Sequence, residues 1–132
     1  MHLWTLPTAR ELFSLVWQSI DQTRPIGPVG HSRTLRDCAL RLSGFGWQFE
    51  SLVQAGFSGF QTCVDIDAAF DYSKFGWIVV TPLNSRETDE TPEGSYYIFD
   101  GVHKSIVLAK RLLRQEVEYT SVEALLLTPR RS

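Results

Sequence analysis

The chain has 132 residues, of which 43% are hydrophobic, 12% aromatic and 21% charged, enough for one domain and too few for two ordinary ones. Such a composition excludes a disordered or fibrous polymer. A formal charge of -2, from 13 basic and 15 acidic residues, excludes a whole-molecule basic field for nucleic acid.

The charge is nevertheless segregated. Residues 1–44 carry net +2, residues 45–103 net -7 and residues 104–132 net +3. Cys38 and Cys63 sit beside apolar neighbours and read as buried free thiols of a reducing compartment. With His2, His31 and His103 they show no zinc spacing. Met1-His2-Leu3-Trp4 lacks the basic start and apolar run of a signal peptide, and no stretch approaches the roughly 18 apolar residues of a membrane span. A cytoplasmic protein without a membrane partner is the expectation.

In chain order, Thr8-Ala9-Arg10-Glu11 is a capping box, followed by Leu12, Phe13, Val16, Trp17 and Ile20 at helical spacing. This helix is predicted to end near Gln22, before Pro25, Gly27, Pro28 and Gly30. A cap at Ser32 or Thr34 opens a second helix, with Leu35, Ala39, Leu40 and Leu42 inward and Arg33, Arg36 and Arg41 outward, stopped by Gly44 and Gly46. Residues 47–55 form a short third helix closed by Gly56.

After Gly59 the pattern predicts a strand over Phe60–Ile66, one or two helical turns over Ala68–Lys74, and a strand over Trp77–Leu83 buried on both faces. Asn84–Ser95 is an exposed loop and Tyr96–Phe99 the next strand. A turn at Asp100-Gly101 leads into the strongest helix, Val102–Arg114. Glu116–Tyr119 returns to the sheet, and Val122–Leu127 is a closing strand or a helical turn. The fold class is α/β (α+β), a small mixed sheet with helices, preceded by an N-terminal helical segment. The chain is one domain, with residues 1–58 the helical segment and 59–132 the core.

The segment that carries chemistry is Tyr96–Ser105. A strand, a glycine turn and His-Lys-Ser at the first turn of a helix bring free backbone N–H groups and the positive helix end together. Gly101 permits close approach, Lys104 adds a charge and Ser105 a hydroxyl, while His103 is a donor or proton shuttle. Asp100 orients His103 or binds a metal. The plainer alternative, a tight turn with an ordinary cap, stays open. Asp65, Asp67 and Asp71 read as capping and solvated acids before they read as a divalent-cation site, and the aromatics Trp47, Trp77, Tyr96 and Tyr97 as core before a base-stacking platform.

The order from Gly76 to Pro129 resembles the ParB/sulfiredoxin-like (ParB-like nuclease domain) superfamily. Trp77–Leu83 resembles its "P-I-V-V" phrase, Tyr96–Ser105 its strand and "D-G-x-H-R" box, Leu108–Leu113 its "A-x-x-L" helix and Val117–Leu127 its return. About half the chain is covered. The resemblance implies a phosphate or nucleotide site with Gly101, His103 and Lys104 in the phosphate-contacting positions; Ser105 joins them by its place in the first helical turn, His103 and Asp100 are the catalytic candidates, and Mg2+ and a nucleotide the candidate cofactors. Val102 stands where sulfiredoxins place their catalytic cysteine, so sulfiredoxin activity is excluded. Lys104 replaces the usual Arg, keeping charge without bidentate geometry.

Three functions follow. The first is a ParB-like enzyme acting on phosphate esters, a DNA nuclease or nucleotide-dependent enzyme. The second is a non-catalytic protein-interaction module (inhibitor, immunity or regulatory protein) that binds a protein partner through its N-terminal helices. The third is a nucleic-acid binder using Lys110, Arg111 and Arg114.

Overall fold

The computed structural model describes residues 2–17, 26, 34–82 and 96–127. The helix residues expected at 18–22, the Pro/Gly turn, Arg33, the Asn84–Ser95 loop and the Arg130-Arg131 tail lie outside them.

The first element is one the sequence reading missed. β1 spans His2–Leu6, with Leu6 fully buried and Leu3 66% exposed, the two-residue alternation of a half-buried strand. Pro7 ends it, and Thr8 opens α1 (Ala9–Phe13). The backbone N–H of Thr8 donates to the Glu11 carboxylate at 2.8 Å, as the capping box predicts, and the Thr8 hydroxyl donates to the same carboxylate at 2.8 Å.

The helix stops earlier than expected. Leu15, Val16 and Trp17 are consecutive and all buried, which no surface helix with one apolar stripe provides. Val16 instead lies alongside Tyr96–Asp100 (β3). Its N–H donates to the Tyr96 carbonyl at 3.1 Å, and its carbonyl accepts from Ile98 N–H at 2.7 Å. The β-branched Val16 thus covers an otherwise open strand edge.

α2 (Leu35–Arg41) is capped by Thr34, whose hydroxyl oxygen accepts from Asp37 N–H at 3.2 Å. A 3-10 turn over Leu42–Phe45 ends at left-handed Gly46, and α3 follows over Phe49–Gln54. Both helices were expected.

The strand predicted at Phe60–Ile66 is instead a helix. A 3-10 turn at Ser58–Phe60 runs into α4 (Gln61–Ala68). Phe60 and Cys63 are fully buried while Thr62 and Asp65 are exposed, so burial recurs at a helical interval and not at two. Asp71 accepts from the backbone N–H of Ser73 at 3.0 Å to start a 3-10 turn at Tyr72–Lys74.

β2 (Trp77–Pro82), β3, α5 (Val102–Leu113) and β4 (Val122–Leu126) are the remaining described elements. The sheet order is β1-β4-β2-β3. β2 runs parallel to β4 and antiparallel to β3, and β1 runs antiparallel to β4. The molecule is α+β, with a four-stranded mixed sheet. β1 puts residues before 58 into that sheet, so its strands are not confined to 59–132.

β2 is central but is not buried on both faces. Ile78 and Val80 are fully buried, whereas Trp77 is 45% exposed and Val79 half-buried. Leu6, Ile78, Val80, Ile98, Val122 and Ala124 join the core with Leu12, Leu35, Phe60 and the middle of α5. Six consecutive α5 residues, Ser105–Lys110, are buried, and α5 packs on α2 and α4. The described helices therefore lie on one face of the sheet.

Candidate functional site

The β3–α5 junction has the predicted local form. Gly101 is left-handed (φ 99°) and precedes a 12-residue helix. A β-carbon there would sit 2.9 Å from Ile78 Cγ2, so the position excludes side chains by conformation and by space. Ser105 N–H and hydroxyl both donate to the Gly101 carbonyl, at 3.0 and 2.7 Å. Ser105 is fully buried, and its hydroxyl is used within its own helix.

Lys104 does not present its charge at the helix end. Its ammonium donates to the Phe75 carbonyl at 2.8 Å and to the Trp77 carbonyl. It also stands over the Phe75 ring, 5.0 Å from the centroid. Burial lowers its pKa, against the opposing pull of Asp100. Lys104 is thereby a clamp on the turn at Gly76 (φ 73°) that starts β2. It fixes where Trp77 leaves the core.

His103 is half-buried, and burial lowers its pKa against a hydrogen bond to the backbone of Gly59. Its own carbonyl accepts a long contact of 3.9 Å from the Cys63 thiol. Asp100 is exposed at the end of β3. The box residues therefore lie together in sequence and space, but Ser105 and Lys104 are engaged internally and His103 is tied to Gly59.

The basic residues expected to contact nucleic acid are also engaged. Lys110 pairs with Asp67 at 2.6 Å and Arg111 with the same carboxylate at 2.9 Å. Arg111 and Arg114 reach Glu116 at 3.6 and 3.3 Å. Lys110, Arg111 and Arg114 stand over Phe49, Phe70 and Trp47 at 5.1, 4.7 and 5.6 Å. Lys110 is only 7% exposed. A cation bound to a carboxylate and an aromatic ring has little left for a phosphate backbone. Lys110, Arg111 and Arg114 knit α4 and the end of α5 to the core.

The acids do not gather either. Asp67 binds the two α5 cations, Asp65 accepts from Gln61 at 3.0 Å and Asp71 caps Ser73. The Ser73 hydrogen bonds lower the Asp71 pKa. Among the described residues no group of three His, Cys, Asp or Glu is arranged to hold a metal. Burial pushes Cys38 up to about 11 and Cys63 up to about 12, so neither thiol is a nucleophile at neutral pH.

The surface that sequence reasoning missed is the other face of the sheet. Register places Leu3 opposite Leu125, Leu125 beside Val79, and Glu123 between Thr5 and Trp77. A bulge between Val79 and Val80 sets Asp100 opposite Val79 and leaves Phe99 as the extra residue. Phe99 is 63% exposed. Leu3, Leu125, Val79, Trp77 and Phe99 thus form an apolar surface with Glu123 and Asp100 beside it. None of the four strands contains Lys or Arg. One signal was legible: Trp4-Thr5-Leu6 alternates apolar and polar and is closed by Pro7. The exposure of Trp77 was hidden in the continuous run Trp77–Val80, which has no alternation to read.

No family model, no curated protein and no solved structure matches the chain. Among the described residues no helix is long and apolar enough to cross a membrane.

Proposed function

We propose that this chain is a non-catalytic interaction domain that binds a protein partner through the outer face of its sheet. The observation that carries it is the exposure of Leu3, Trp77 and Phe99, at 66%, 45% and 63%, on a face that no described helix covers. A contiguous apolar surface beside polar groups is the form of a protein-binding patch. Its acidic neighbours, Glu123 and Asp100, and the lack of Lys and Arg on the strands favour a partner surface that is apolar and basic. The expected N-terminal helices are less suited: α2 packs on α5, and Arg41 donates to the Ile26 carbonyl and the Cys38 sulfur.

The test is selection of a displayed peptide library on the folded domain. Peptides are expected to bind wild type and to lose about tenfold or more in affinity when Leu3 and Phe99 are both replaced by Asp. Binding that ignores the double variant, or no enrichment at all, contradicts the proposal.

The ParB-like phosphate-ester reading keeps one supporting observation, left-handed Gly101 opening the 12-residue α5. Calorimetric titration with nucleotides and Mg2+ separates the two readings. Saturable binding abolished by Lys104→Met, in a variant that still folds, would replace the interaction domain with a phosphate site. The interaction reading expects no heat.

A further inference from the structure

Beside the outer face lies a cleft of about 310 Å³, lined by Tyr72, Ser73, Trp77, Thr120, Ser121 and Glu123 among others. Its walls are fixed. Tyr72 hydroxyl donates to the Thr120 carbonyl at 2.6 Å and accepts from Thr120 N–H at 3.1 Å. The clamp of Lys104 on the Trp77 carbonyl holds the opposite wall. The volume is at the lower limit of small-molecule sites, about 300 Å³, and suits one large side chain.

The chemistry of the lining has one sign. Among the described residues Glu123 carries the only carboxylate there and no lining residue is Lys or Arg. The carboxylates of Glu11, Asp67 and Glu116 are bound by a cap or by cations, but Glu123 has only the neutral Thr5 hydroxyl, at 3.0 Å, as partner among the described residues. Next to this carboxylate in the parallel register stands Trp77, with its side chain partly in solvent. A carboxylate without a counter-charge and an accessible indole face are the two groups that recognise a guanidinium, by a charge-assisted hydrogen bond and by stacking.

We infer that this cleft receives an arginine side chain of the protein partner, with Glu123 accepting from the guanidinium and Trp77 stacking on it. The inference rests on the sheet-face reading above and gives the partner its chemistry: an arginine followed or preceded by apolar residues that lie along Val79, Leu125, Leu3 and Phe99. A lysine is the poorer fit, since a compact ammonium has no plane to lay on the indole.

The experiment is an NMR titration of the isotopically labelled chain with N-acetyl-arginine methylamide, repeated with the norleucine analogue. Saturable shifts are expected at the Trp77 indole N–H and at the amides of residues 120–123. They are expected to weaken about tenfold in Glu123→Gln, a substitution that retains the acceptor for Thr5. Norleucine amide is expected to leave these signals in place. No shift, an equal response in Glu123→Gln, or an equal response to norleucine amide overturns the inference. If the arginine amide fails while selected peptides remain sensitive to the Leu3/Phe99 double variant, the cleft assignment falls alone. If those peptides are insensitive too, the sheet-face reading falls with it.

Discussion

The two faces of the sheet are built from alternate residues of the same four strands and behave as different materials. On one side Leu6, Ile78, Val80, Ile98 and Ala124 are buried against the helices. On the other, Leu3, Trp77 and Phe99 stand in solvent. The inner face is packed against the helices, and the cations there are matched: Lys110 and Arg111 share Asp67, and Lys104 binds backbone carbonyls. The outer face has apolar surface and the Glu123 carboxylate, which has the Thr5 hydroxyl but no counter-charge among the described residues. Polar groups satisfied within the fold maintain it, whereas those left over are what a partner can use.

Substitution breaks this comparison most strongly at the inner face. Ile78→Ala is expected to cost about 2–5 kcal/mol of unfolding free energy, because it empties a fully buried site between sheet and α5. Val79→Ala, one residue along and on the outer face, is expected to cost under about 1.5 kcal/mol. Denaturant titration of both variants measures the contrast, and equal losses would erase it.

Next in size is Gly101→Ala. The left-handed backbone and the 2.9 Å approach to Ile78 predict a loss of about 1–3 kcal/mol. The same substitution at Gly44, where a β-carbon would meet nothing within 4 Å, is expected to be nearly neutral. Asp67→Ala is expected to cost about 2 kcal/mol by stranding Lys110, with Lys110→Met as the partial rescue. A melting temperature unchanged by Asp67→Ala would show that these cations are not held as described.

The outer face predicts small effects on stability and large ones on binding. Leu3→Asp and Phe99→Asp are each expected to change unfolding free energy by no more than about 0.5 kcal/mol. A large loss in either would mean that this face is covered in the folded chain.

The smallest effect is pH dependence at His103. Its pKa in the fold lies below 6.5 because burial disfavours the charged ring. The unfolded chain therefore binds more protons between that lowered value and 6.5, and stability rises with pH across this window. Above pH 6.5 the contribution is fully present. Denaturant midpoints from pH 7 to pH 5 are expected to fall less in His103→Gln than in wild type, and parallel curves would assign the change to other groups.

Where the sequence was legible, short-range chemistry dominates. The capping box at Thr8, the Thr34 cap, the Asp100-Gly101 turn and α5 all depend on residues within a few positions of each other. Where it misled, a distant partner decided. Residues 15–17 leave the helix because the edge of β3 offers hydrogen bonds, and Phe60–Ile66 is helical because Cys63 and Asp67 face α5. The site was hidden in the same way. Lys104, Lys110 and Arg111 read as free cations until Phe75, Trp77 and Asp67 are placed beside them. The exposure of Trp77 required knowing that no described helix lies over β2 on that side.

The most direct test is the affinity of a selected peptide for wild type, for the Leu3→Asp/Phe99→Asp double variant and for His103→Gln, measured side by side on folded protein. A loss of about tenfold or more in the double variant, with His103→Gln much less affected, is the predicted result. Binding untouched by the double variant but abolished by His103→Gln would contradict it and move the functional site to the β3–α5 junction.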